Sequence, residues 1–389
     1  MTEPRSTAPA SGFLGGGRLR FLDALRGIAA LAVAWFHFYW MTPLREPMRA
    51  VLPEPLHLVM RYGGLGVQIF FVLSGFVIAF SVREARIDAR FLGRFALRRS
   101  IRLDPPYWLT ILLAVAIAAL SHVVLTQPVP IPSWRSVLAH VTYTQNILGF
   151  QNIVSVFWTL AYEVQFYLVL VILLGLLQRG ARARSPLVRR FAAVALFVPL
   201  GIASLVMLAT GWWAHGWFID WWYAFFLGAV TYWTLAGRVR THWWVLLFVL
   251  TTIAASLPGA AGGALVVVAT AAIIFAVGRA GRLATLLDVR PLQFLGRISY
   301  SLYLVHFLGA TVAKLGARIT GGSIPAAFGW FLLANVVSIV AAYVMYRLVE
   351  APSLRLTKQP DPLAALRGLL RGRRPPDVSV AKPASGFAE

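Results

Sequence analysis

The chain contains no cysteine in its 389 residues. That excludes disulfides, thiolate metal centres and a covalent acyl-cysteine intermediate. Charge is scarce too, at 13% of residues, and acidic charge is scarcest, with 14 Asp and Glu against 36 Lys and Arg. Hydrophobic residues make up 59% and mean hydropathy is +0.73. A soluble domain of this length would not keep that balance, so the composition points to an integral membrane protein. The net charge of +22 would suit a nucleic-acid partner. Its distribution argues against one, because the basic residues fall between apolar runs and not along one polar face.

Apolar runs of membrane length fall near 21–41, 63–82, 105–125, 154–177, 191–210, 217–236, 243–259, 261–278, 298–316 and 325–348. An all-α, polytopic membrane protein with about ten transmembrane helices is therefore expected, with both termini on one side. Only a Ser256-Leu257-Pro258-Gly259 turn separates the seventh and eighth runs. With the N-terminus placed in the cytoplasm, the inner segments hold 29 of the 36 Lys and Arg and the outer ones 6, Arg26 being within the first run. The positive-inside rule then puts both termini in the cytoplasm. The basic surplus faces the anionic inner leaflet or a phosphate-bearing cytoplasmic ligand.

Three regions follow. Residues 1–18, rich in Gly, Ser and Pro, read as a disordered cytoplasmic start, 19–355 as the transmembrane domain, and 356–389 as a basic, mostly disordered cytoplasmic tail. Within the tail, 361–372 could lie as a basic helix on the membrane surface. The first run does not read as a cleaved signal peptide, since Asp23 and Arg26 interrupt its start. There is no solenoid repeat and no room for a further soluble catalytic domain.

Ionisable groups inside apolar runs are costly, and by default they mark a polar path or a reaction site. Arg26 and His37 are eleven residues apart, almost three turns, so they share a helix face about 16 Å apart. Asp23 lies one turn before Arg26 on the same side. Histidine can take a proton from a hydroxyl near neutral pH, the commonest general-base role. Glu163 lies about 13 Å below the outer end of its run. Its depth resembles that of His37, so a carboxylate–imidazole pair is expected. Arg99 and Arg102, at (i, i+3) spacing, could take phosphate together. They belong to a stretch of seven arginines, 83–104, so plain topogenic charge competes.

Five segments carry a pattern. They are Phe21-Leu22-Asp23-Ala24-Leu25-Arg26 with His37 beyond it, Phe70-Phe71-Val72-Leu73-Ser74-Gly75-Phe76, Arg99-Ser100-Ile101-Arg102, Trp158-Thr159-Leu160-Ala161-Tyr162-Glu163, and Ile298-Ser299-Tyr300-Ser301-Leu302-Tyr303-Leu304-Val305-His306. Arg347 to Pro352 closes the series. In this order and spacing the chain resembles the membrane acyltransferase-3 family over residues 21–352. Two departures are visible: Gln68 stands where an acidic residue is common, and Thr159 where serine is usual.

The resemblance implies an O-acyltransferase of the bacterial cytoplasmic (inner) membrane. It would move an acyl group, usually acetyl, from cytoplasmic acetyl-CoA to a hydroxyl of a carbohydrate or glycosylated acceptor, with no metal required. It assigns His37 and Glu163 to catalysis. Arg26, Arg99, Arg102, Tyr300, Ser301 and His306 would serve the CoA donor, and Asp23, Ser74, Gln68 and Trp158 the acceptor. Bland readings stand beside these: Ser74 as a packing residue, Tyr300, Ser301 and His306 as helix contacts, and Glu350-Ala351-Pro352 as a helix end. Trp212, Trp213, Trp217, Trp221 and Trp222 read as an interfacial aromatic belt before a sugar platform. His215-x4-Asp220 matches a glycerolipid acyltransferase spacing but falls at the wrong membrane face. The rival function is a proton-coupled transporter or flippase that relays protons through His37 and Glu163. The acceptor, the acyl chain and the oligomeric state stay open.

Overall fold

The computed structural model describes residues 18–124, 129–181, 186–260, 262–320 and 323–362, together with 364, 365 and 367. Most of the two terminal regions, including more than half of the expected 361–372 helix, lies outside these residues. Among the described residues there are helices and no strands. In chain order they are α1 (Arg20–Tyr39), α2 (Arg45–Arg49), α3 (Glu54–Tyr62), α4 (Gly66–Ser81), α5 (Ala89–Val124), α6 (Trp134–Val141) and α7 (Phe157–Ala181). There follow α8 (Pro186–Thr210), α9 (Trp222–Leu235), α10 (Thr241–Ala255), α11 (Ala264–Arg279), α12 (Arg290–Thr320), α13 (Ile324–Met345) and α14 (Ala351–Thr357).

Among the described residues, seven helical stretches are long and apolar enough to cross a membrane: Arg20–Tyr39, Glu54–Ser81, Ala89–Val123, Phe157–Gly180, Phe191–Thr210, Arg290–Thr320 and Ile324–Thr357. The other three expected runs form shorter helices, α9, α10 and α11, of 14, 15 and 16 residues. Positive-φ glycines end or begin them, Gly237 after α9 and Gly263 before α11. Lipid, not water, explains the outer faces. On α13, Leu332, Val336 and Val340 are exposed at helical spacing, while Phe331, Ala334, Ser338 and Ala342 are buried. The helix satisfies its own backbone and turns its apolar side outward.

Two crossings position the site. The Cβ of an alanine at Gly296 would lie 2.3 Å from the Asp23 carbonyl, and one at Gly27 2.7 Å from the Gly296 amide. Only glycine lets α1 and α12 approach this closely. Gly27 to His37 and Gly296 to His306 are both ten residues. The two helices therefore run parallel and in register, and a contact at the glycines implies one at the histidines. In the core where α4 and α9 cross, Phe225 stacks between Phe71 and Phe166 at 4.4 and 4.5 Å between ring centres. Offset aromatic pairs of this kind add about 0.5–1.5 kcal/mol each beyond burial.

The last transmembrane helix does not end at Glu350-Ala351-Pro352 as expected. It widens into a π-helical turn over Tyr346–Glu350 and continues as α14. Pro352 has no N–H for the carbonyl four residues earlier, and a wider turn lets the helix continue past that lost bond.

Candidate active site

His37 sits in the last turn of α1. Its Nδ1 lies 2.8 Å from the Val33 carbonyl and 3.2 Å from Nε2 of His306. His306 in turn has Nδ1 at 2.9 Å from the Tyr303 carbonyl and 3.2 Å from that of Leu302. Carbonyls accept only, so His306 carries its hydrogen on Nδ1 and offers a bare Nε2. His37 then donates from Nδ1, shared between Val33 and His306, and its own Nε2 is left as a free acceptor. That Nε2 faces a cavity of about 390 Å³, where the Ser155 hydroxyl donates to it at 3.2 Å. Trp158, Tyr303 and Arg61 also line this space. Thr159 and Tyr303 join their hydroxyls at 2.7 Å, and both reach the Val156 carbonyl, so the loop carrying Ser155 is pinned to α12. The hydroxyl that threonine retains at position 159 is used.

The second polar centre lies deeper, toward the other end of α1. Arg26 of α1, Ser74 of α4, Arg99 and Arg102 of α5 and Glu163 of α7 line one narrow cleft of about 20 Å³, room for about one water. Ser74 donates to Glu163 Oε1 at 2.6 Å. The Arg99 guanidinium lies 4.9 Å over the Tyr167 ring. Among the described residues no carboxylate comes within 4.0 Å of Arg26, Arg99 or Arg102. Three guanidiniums without a direct counter-ion form an anion-receiving surface. Arg98, their neighbour, does something else: it donates to the Thr357 and Gln359 carbonyls and ties α5 to the end of α14 and the chain just after it.

Sequence reasoning placed Glu163 beside His37, and the structure separates them. No hydrogen bond or ion pair joins the two among the described residues; the partner at Nδ1 is His306. The physical reason is helix phase. Thr159, at the level of Tyr303, marks the histidine end, and Glu163 lies one turn, about 6 Å, further along α7. Other expected residues are also placed away from the cavity. Asp23 is held by Arg18 Nε at 2.6 Å. Gln68 is buried against Gly263 at the start of α11. The Tyr300 hydroxyl donates to the Leu103 carbonyl at 2.8 Å. Ser301 donates to the buried Glu350 at 2.6 Å. In the Ser74-Gly75 pair, glycine serves the packing, since a Cβ there would lie 1.8 Å from the Phe225 carbonyl. Serine serves the cleft.

The His215-x4-Asp220 spacing has a structural explanation. Asp220 is buried and accepts from the Ala214 amide at 2.6 Å and the Tyr162 hydroxyl at 3.0 Å, bracing the 211–221 loop. Ser155 and the His306 contact were missed by sequence reasoning. The equal ten-residue offsets from Gly27 and Gly296 were the available signal for His306; Ser155 had none.

A model of the acyltransferase domain matches residues 19–347. The chain belongs to the acyltransferase-3 family. It is a membrane acyltransferase with several apolar helices crossing the bilayer. The acyltransferase MdmB of Streptomyces mycarofaciens is 30% identical over 89% of this chain and 94% of its own length. The exopolysaccharide production protein ExoZ of Rhizobium meliloti is 28% identical over 79% of this chain and 94% of its own. The peptidoglycan O-acetyltransferase OatA of Listeria monocytogenes is 26% identical over 38% of this chain and 23% of its own. No solved structure matches this acyltransferase.

Proposed function

We propose that this acyltransferase transfers an acyl group, acetyl in the first instance, from acyl-CoA to a hydroxyl of a carbohydrate or glycosylated acceptor, with His37 as general base. The observation that carries the proposal is the pair of acceptors around His37 Nδ1, from which its tautomer follows. Val33 and His306 hold the Nδ1 hydrogen, and the basic Nε2 is turned into the cavity. A hydroxyl taking the place of Ser155 would meet that lone pair at hydrogen-bond distance.

The reaction balances without a covalent enzyme intermediate. The acceptor oxygen attacks the thioester carbonyl as its proton passes to His37 Nε2. The C–S bond then breaks, and the imidazolium returns the proton to the departing CoA sulfur. The products are an ester and free CoA. His306 Nε2 and the Val33 carbonyl stabilise the imidazolium through Nδ1, the service an aspartate gives in hydrolytic triads.

The donor side is the arginine cleft. Arg26, Arg99 and Arg102 suit CoA phosphates, and the about 16 Å from Arg26 to His37 matches a pantetheine arm of on the order of 15–20 Å. A cleft with room for one water admits the donor only when its lining side chains rearrange. Glu163 belongs to this side: it accepts from Ser74 and offsets part of the arginine charge. With the arginines on the cytoplasmic face, the orientation the positive-inside rule favours, the acceptor meets His37 near the opposite surface of a bacterial inner membrane. The transporter reading, a proton relay through His37 and Glu163, has less support, because among the described residues no hydrogen bond joins the two. The decisive experiment follows acetyl transfer in membranes carrying wild type or H37A. Unchanged acylation by H37A would refute the proposal.

A further inference from the structure

Among the residues lining the His37 cavity, Arg61 is the one charged side chain. It lies in the last turn of α3, and the Gly63-Gly64 turn after it packs on Ala32 and Phe36 of α1. Its place relative to His37 is thereby fixed by the backbone. The guanidinium stands 5.5 Å from the centre of the Trp40 ring and 5.1 Å from that of Tyr62. No carboxylate lies within 4.0 Å of it among the described residues. Its neighbour Arg45, also over Trp40 at 3.8 Å, has Glu46 at 3.7 Å. Cation–π contact with two rings gives a guanidinium no hydrogen-bond acceptor, so its N–H donors stay open to a ligand. At the mouth of a largely apolar cavity, that free fork fits a planar or tetrahedral anion two bonds at a time. The proton transfer at His37 and the donor cleft make no use of it.

We propose that Arg61 reads an anionic group, a carboxylate or a phosphate, carried by the acceptor beside the hydroxyl presented to His37. The acceptors are then acidic glycans or sugar phosphates, and neutral sugars are disfavoured. The proposal rests on the reading of this cavity as the acceptor site. A guanidinium that merely met lipid headgroups would give no discrimination among sugars.

The test is equilibrium binding of radiolabelled glucuronate, glucose 1-phosphate and methyl glucoside to the full chain in detergent. Wild type, R61Q and R61K are compared. Wild type is expected to bind one or both anionic sugars at least tenfold tighter than methyl glucoside, and raising salt should weaken only the anionic ones. R61Q should erase the preference. R61K, which keeps the charge but not the fork, should retain part of it. The glucuronate and phosphate arms show which anion is read. The proposal is overturned if the three sugars bind alike, if none binds, or if R61Q keeps the preference. Loss of phosphatidylglycerol retention in R61Q with unchanged sugar binding would also overturn it. H37A, assayed in parallel for thiol release from acetyl-CoA, keeps the two readings apart. The cysteine-free chain adds no thiol background. Transfer lost in H37A with no anionic preference sinks the Arg61 proposal alone, whereas transfer retained in H37A sinks the role of His37.

Discussion

His37 Nδ1 and His306 Nε2 lie 3.2 Å apart on two parallel helices, and this contact decides which nitrogen of His37 faces the cavity. The Nδ1 hydrogen is shared between His306 and the Val33 carbonyl, and the lone pair of His37 Nε2 points the other way. The pair replaces the carboxylate–histidine arrangement found in many general-base sites.

Removing the base should be nearly silent for folding and severe for activity. H37A is expected to lower kcat by roughly 10²- to 10⁴-fold. Thermal unfolding in detergent should move little, since His37 is only half-buried at a cavity wall. A matched fall in melting temperature and activity would mean that the loss is structural.

His306 should act through His37. H306A removes one acceptor from a hydrogen bond to a ring that becomes charged in the transition state, about 1.5–3 kcal/mol, or roughly ten- to hundredfold in kcat. Acceptor KM should stay close to wild type. The H37A/H306A double variant should be no worse than H37A alone. Additive losses in this cycle would show that the two act independently.

The arginine cleft predicts a donor effect. R99Q and R102Q should each raise the KM for acetyl-CoA by about ten- to hundredfold, with kcat changed less. R102K should rescue incompletely, because an ammonium lacks the planar fork. For dephospho-CoA thioesters the penalty should shrink. An unchanged donor KM in both variants would leave these residues as topogenic charge only.

Helix approach gives a stability prediction. At Gly75 an alanine Cβ would stand 1.8 Å from the Phe225 carbonyl, an atom of the α9 backbone that no side-chain rotation can move. G75A should therefore cost about 1–3 kcal/mol or more, the scale of core overpacking. Yield and melting temperature would both fall. S74A, its neighbour, should leave stability nearly intact and act on donor affinity instead.

His140 gives a pH dependence outside the membrane helices. Its Nδ1 donates to the Ser136 carbonyl at 2.7 Å, and its Nε2 accepts from the Ile153 amide at 3.1 Å. Burial, only partly offset by the Ser136 bond, holds its pKa below the ordinary 6.5. The unfolded chain therefore takes up this proton first, and the stabilising contribution present above pH 6.5 is lost as pH falls below it. Melting temperature in detergent should drop between pH 7.5 and 5.5 in wild type. The drop should be smaller in H140Q, whose amide oxygen can still accept from Ile153. Equal slopes for the two proteins would rule out His140 as the titrating group.

Much of this was legible in the chain itself. Apolar runs of twenty residues have one solution in lipid, the hydrogen-bonded helix, so the all-helical class followed from composition and length. The costly polar residues within those runs marked Arg26, His37, Ser74 and Glu163, because local sequence cannot hide a charge from lipid, and the (i, i+3) spacing just before the third run marked Arg99 and Arg102. Which of them meet was decided only in three dimensions. Helix phase and the depth at which each helix begins are set by distant glycine contacts and loop lengths, and a single turn moved Glu163 from the histidine to the arginines. The same glycines at 27 and 296 brought His306 against His37. The sequence determined which groups were too expensive to be idle; the packing of α1 on α12 and α4 on α9 decided their partners.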